Sequence, residues 1–95
     1  MRIAGYIEHP ILKITIFQME NRFSVKLETP QFEQTYKFRR GPLTETVTDI
    51  RQLIDEAFIQ QVLVNMQSMA KVKQNALERA HQASQADEDD FDEII

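Results

Sequence analysis

A chain of 95 residues with a formal charge of −4, no cysteine and no tryptophan has room for one folded unit and one modest core. The lack of cysteine excludes disulfides, thiolate-held metals and thiol nucleophiles, and fits a reducing compartment. The first nine residues hold no apolar run of signal-peptide length, and no window approaches a transmembrane span, so a cytoplasmic protein with no membrane segment is expected.

Residues 3–7 form a short possible strand, weakened by Gly5 and ended by His9-Pro10, because proline cannot donate to a ladder. Residues 11–19 are the clearest strand, rich in β-branched side chains, with Leu12, Ile14 and Ile16 on one face. Glu20-Asn21-Arg22 reads as a turn in which Asn21 would tolerate positive φ. Phe23, Val25 and Leu27 then alternate with Ser24 and Lys26, Thr29-Pro30-Gln31 turns the chain again, and residues 32–38 alternate once more through Phe32, Tyr36 and Phe38. Turns this short pair neighbouring strands antiparallel, so a meander of three to four strands is expected, apolar on one face. Its other face should carry Lys13, Lys26, Lys37 and Arg39 around Phe17, with Arg40 continuing the basic run.

Gly41-Pro42 ends the sheet, and the stretch from Thr46 to Ser84 has neither glycine nor proline. Ile50, Leu53, Ile54, Ala57 and Phe58 follow the i, i+3, i+4, i+7, i+8 spacing of a helix face. Thr46 with Asp49 can form an N-terminal box, and Asp55 can cap a second helix. The reading is a short helix at about 48–54 and a long one at about 56–83. Such a long helix spans roughly 40 Å at about 1.5 Å per residue, whereas a compact chain of this size is only some 35 Å across. Part of it must therefore lie beyond its own sheet. Ile59, Val62, Met66, Met69, Lys73, Ala76 and Ala80 fit a heptad seam. With Leu63 and Leu77 they make the long helix the expected homodimer or partner interface; the residues assigned to it are Ile59, Val62, Leu63, Met66, Met69 and Leu77.

Six of the fifteen acids, Asp87, Glu88, Asp89, Asp90, Asp92 and Glu93, fall in a C-terminal run that has no Lys or Arg. Residues 1–84 form the expected α+β domain and carry eleven basic residues against nine acids. Residues 85–95 are expected to be a flexible, disordered acidic tail. Phe91, Ile94 and Ile95 distinguish this tail from a merely solubilising one and mark it as a possible docking segment. In composition it resembles the partner-docking tips of bacterial single-stranded-DNA-binding proteins, although it ends in Ile94-Ile95 where those end in a Pro-Phe step.

The chemistry-bearing residues are scattered. His9 and His81 lie far apart, one before Pro10 and one near the helix end. No metalloprotease, nucleophile-elbow, Walker or dinucleotide pattern occurs, and two glycines are too few for a phosphate loop. No catalytic residue, cofactor or metal is assigned. The order of elements, a meander followed by a helix, is similar to that of the arm-type DNA-binding domains of tyrosine recombinases. Two functions follow as expectations. The first is a non-catalytic protein–protein interaction or adaptor protein, homodimeric through its long helix. The alternative is a nucleic-acid-binding module using Lys13, Lys26, Lys37, Arg39 and Arg40, with the acidic tail as competitor.

Overall fold

A computed structural model describes the backbone of residues 1–94 and the side chains of residues 1–84. Four strands, β1 (Arg2–Ile7), β2 (Lys13–Gln18), β3 (Arg22–Glu28) and β4 (Glu33–Arg39), are followed by two helices, α1 (Val47–Leu53) and α2 (Glu56–Ile94). The strands form one antiparallel sheet in the order β1-β2-β3-β4. The fold is α+β, with a meander on one side and the helices on the other. The tail expected at 85–95 lies outside the residues whose side chains are described.

Alternation along β2 and β3 sends Leu12, Ile14 and Ile16, and Phe23, Val25 and Leu27, into the core. The helices meet them there with Ile50, Ile54, Ile59, Val62 and Met66. Each such side chain, removed from water, contributes about 2 kcal/mol before conformational entropy is set against it. β4 and the residue before it add a half-buried rim of Phe32, Tyr36 and Phe38.

Specific contacts set where α2 lies on this sheet. Phe58 meets Tyr36 edge to face, with ring centroids 5.0 Å apart. The Gln34 amide donates to the Val62 carbonyl at 2.9 Å, and the Tyr36 hydroxyl donates to Gln34 Oε1 at 2.6 Å. Further along, the Lys73 ammonium sits 5.6 Å from the centre of the Phe32 ring, a cation–π contact that also lays its apolar stem on the sheet. As α2 runs forward, then, it travels back along β4 and leaves the sheet at the β3–β4 turn.

The break between the helices follows the capping residues. Thr46 Oγ1 accepts from the Asp49 amide at 3.1 Å while Asp49 Oδ2 accepts from the Thr46 amide at 3.1 Å, a complete capping box. Asp55 Oδ1 accepts from the Phe58 amide at 2.9 Å and starts α2. The turn between β2 and β3 differs from expectation. Among the described residues none, glycine included, has positive φ, so Asn21 does not use that freedom. The turn is closed by a hydrogen bond of 2.9 Å from the Met19 amide to the Arg22 carbonyl, and the Asn21 carbonyl accepts from the Arg40 amide at 3.1 Å.

β1 pairs with β2 within the chain, and it is bulged. Ile3 stands opposite Phe17 and Gly5 opposite Ile16, so Ala4 is the extra residue. The bulge reverses the alternation, so Ile3 and Tyr6, three apart, share the face away from the helices. Gly5 leaves room for the Arg51 guanidinium: a Cβ there would lie 2.6 Å from Arg51 Nη2, which would have to move. Arg51 reaches across the strand to donate to the Tyr6 carbonyl at 2.8 Å, which ties α1 to β1.

Candidate interaction surfaces

The long helix carries one apolar stripe with two different fates. Of the six residues assigned to an interface, Ile59, Val62 and Met66 lie in the core of a single chain, and Leu63 and Met69 are half-buried against it. Only Leu77 is exposed, at 61%. Their placement has a simple cause. The heptad seam and the sheet-covering face are the same stripe, and the sheet takes its first half. The second half continues at the same spacing through Ala76, Leu77 and Ala80, and every residue from 70 to 84 is exposed. Val64 and Val72, at 56% and 69% exposed, lie off the stripe and were not singled out from the sequence. The Cα radius of gyration is 20.1 Å, well above the roughly 13 Å of a compact chain of this length.

The open face of the sheet is the second surface. Across its middle run two rows of paired residues, Ile3–Phe17–Ser24–Lys37 and Tyr6–Thr15–Lys26–Thr35. Ile3 and Tyr6 are each 53% exposed, whereas Thr15 and Ser24 are buried beneath their longer neighbours. The Ser24 hydroxyl has no hydrogen-bond partner among the described residues. A buried hydroxyl left in that state costs about 1–3 kcal/mol relative to a satisfied one.

The five cations expected to act together are divided. Lys26 lies between Glu33, at 3.3 Å, and Glu28, at 3.7 Å. Arg40 is turned to the helix side, 5.3 Å from the centre of the buried Phe23 ring. Lys13 stands opposite Glu28. Lys37 and Arg39 remain exposed, and the register adds a cation that the sequence reading left in a turn, since Arg22 is paired directly with Arg39. Counting alternation back from Lys26 and Ser24 would have placed Arg22 on this face. None of Arg22, Lys37 and Arg39 lies within ion-pair distance of an acid among the described residues. Like charges directly opposite on a ladder repel, so this end of the face is a concentrated and uncompensated positive patch. The opposite end, with Lys13, Lys26, Glu28 and Glu33, is internally balanced.

His9 Nδ1 accepts from the Ile11 and Leu12 amides at 3.1 and 3.2 Å, so this ring closes the β1–β2 turn. An open hollow of about 590 Å³ beside that turn is lined by Tyr6, Ile7, Glu8, His9, Lys13 and neighbouring apolar side chains. Among the described residues no three His, Asp or Glu side chains converge as a metal site, and no helix is long and apolar enough to cross a membrane. The docking residues expected in the tail, Phe91, Ile94 and Ile95, lie outside the residues whose side chains are described.

Fold and surfaces together define an α+β protein that presents an overhanging helix and an open, one-end-basic sheet face. Comparison of the chain with protein-family models, with curated proteins and with solved structures finds no match.

Proposed function

We propose that this chain is a non-catalytic interaction protein that associates with a second copy of itself through the overhanging part of α2. The observation that carries this reading is the continuation of the sheet-covering stripe, as Ala76, Leu77 and Ala80, past the last sheet contact at Lys73. A stripe that is apolar where the chain covers it, and remains apolar where the chain does not, fits burial by another molecule. Small residues at 76 and 80 allow a second helix to approach closely. Two-fold pairing needs one patch, used twice. The apolar part of this overhang ends at Ala83, ahead of the acidic run that closes α2, so it spans only about 15 Å, or three turns, past Lys73; the contact is short and the dimer should be concentration-dependent rather than obligate.

The test is molar mass by light scattering coupled to size exclusion. The full chain should move from monomer toward dimer mass as concentration rises. Leu77→Glu with Ala80→Glu should hold it at monomer mass with unchanged circular dichroism. A wild-type chain that stays monomeric at its highest soluble concentration overturns the reading. Binding of nucleic acid to the sheet face is the less favoured reading, because Lys26 and Arg40 are already engaged and only three uncompensated cations remain together.

A further inference from the structure

We infer that the basic end of the open sheet face, Arg22, Lys37 and Arg39 around the unpartnered Ser24 hydroxyl, docks the acidic C-terminal segment of a second copy of this chain. Three observations lead there. The first is charge. The three cations have no acid within ion-pair distance among the described residues, while the C-terminal segment puts six acids within residues 87–93 and has no cation. The second is pattern. On the same face, across the sheet on β1, Ile3 and Tyr6 are exposed, and the acids of the segment are followed by Ile94 and Ile95, with Phe91 among them. An acidic strip with apolar side chains suits a face that carries cations at one edge and exposed apolar residues at the other. The third is Ser24, whose buried hydroxyl lacks an acceptor. A carboxylate supplies one when the unpaired Lys37 stem swings aside.

Reach decides whose segment it is. The patch lies where β3 begins and β4 ends, whereas α2 leaves the sheet at Phe32, the other end of β4. From Phe32 to Arg39 is roughly 23 Å of strand at about 3.3 Å per residue. From Lys73 to residue 85 is a further 18 Å or so of helix, directed away from the patch. The patch and the start of the acidic segment of the same chain are thus on the order of 40 Å apart. Asp90, the middle of the acidic run, is only five residues past residue 85, about 17 Å even if fully extended. A chain cannot reach its own patch while α2 stays helical to Ser84; a second copy can. This inference does not depend on pairing through the α2 overhang: the acidic stretch at the end of α2 is what docks, whether or not two helices pair.

The experiment uses the isotope-labelled full chain with its own segment neutralised by Asp87→Asn, Glu88→Gln, Asp89→Asn, Asp90→Asn, Asp92→Asn and Glu93→Gln. A synthetic peptide of residues 85–95 is titrated in and followed by amide chemical shifts. Saturable shifts are expected at Arg22, Ser24, Lys37 and Arg39, weakening with added salt. Adding Lys37→Glu and Arg39→Glu to the protein, both at exposed positions, should reduce affinity about tenfold. Absence of saturable shifts at these amides overturns the inference. So does an identical response to a peptide with all six acids neutralised. Shifts at these amides with a single-stranded oligonucleotide but none with the peptide overturn it in favour of nucleic acid. If the wild-type chain shows the bound shifts independently of its concentration, the segment closes on its own chain and the second-copy assignment fails.

Discussion

The two halves of the α2 stripe are built from similar residues and live in opposite surroundings. From Phe58 to Met69 the stripe lies on a sheet and is buried or half-buried. From residue 70 to residue 84 every residue is exposed, with Lys73 still touching the Phe32 ring at the edge of the sheet. The comparison shows that helix periodicity reports a face that wants cover and does not say what covers it. The sheet is seven residues long at β3 and β4, roughly 23 Å, and a helix that meets it near Tyr36 and runs toward Phe32 has only about 13 Å of strand ahead of it, so most of α2 extends past the sheet.

Three substitutions probe the difference, in descending order of effect. Val62→Asp places a charge where the native side chain is 1% exposed, and it should destabilise by more than about 3 kcal/mol or prevent folding; chemical denaturation reads it. Survival of a fully cooperative fold would mean that the first half of the stripe is not core. Asp55→Ala removes the side chain that accepts from the Phe58 amide, so a loss of about 1 kcal/mol is expected from the same denaturation midpoint. This smaller cost measures how firmly the covered half is started. Leu77→Ala should change the stability of the monomer by no more than about 0.5 kcal/mol, measured at concentrations too low for association. A loss of the size usual for a core leucine would show that the second half is covered within the chain after all.

The two ends of the open sheet face repeat the lesson in charge. Lys26 and Lys37 are both lysines pointing away from the helices, yet one is held by Glu28 and Glu33 while the other has no acid within ion-pair distance among the described residues. Alternation along a strand assigns a face. Which acid stands beside which base depends on register across three strands, and register is a tertiary property.

Much of the architecture was readable beforehand because it rests on local chemistry. Two-residue alternation defined β2, β3 and β4, the turns set their antiparallel order, and Thr46, Asp49 and Asp55 marked the helix starts through hydrogen bonds spanning three residues. The candidate surfaces were less legible. Ile59, Val62 and Met66 looked like a seam because a heptad pattern cannot distinguish a sheet from a second helix as its cover. Ile3 and Tyr6 share a face only because Ala4 bulges, and Arg22 joins Arg39 only because the β3–β4 register pairs them. Sequence by itself determined the elements, their caps and their order, since these are written in neighbours along the chain. The tertiary structure alone decided where α2 runs off its sheet and which end of the open face stays positive. Both depend on the length of one element measured against another, and on partners far apart in the chain.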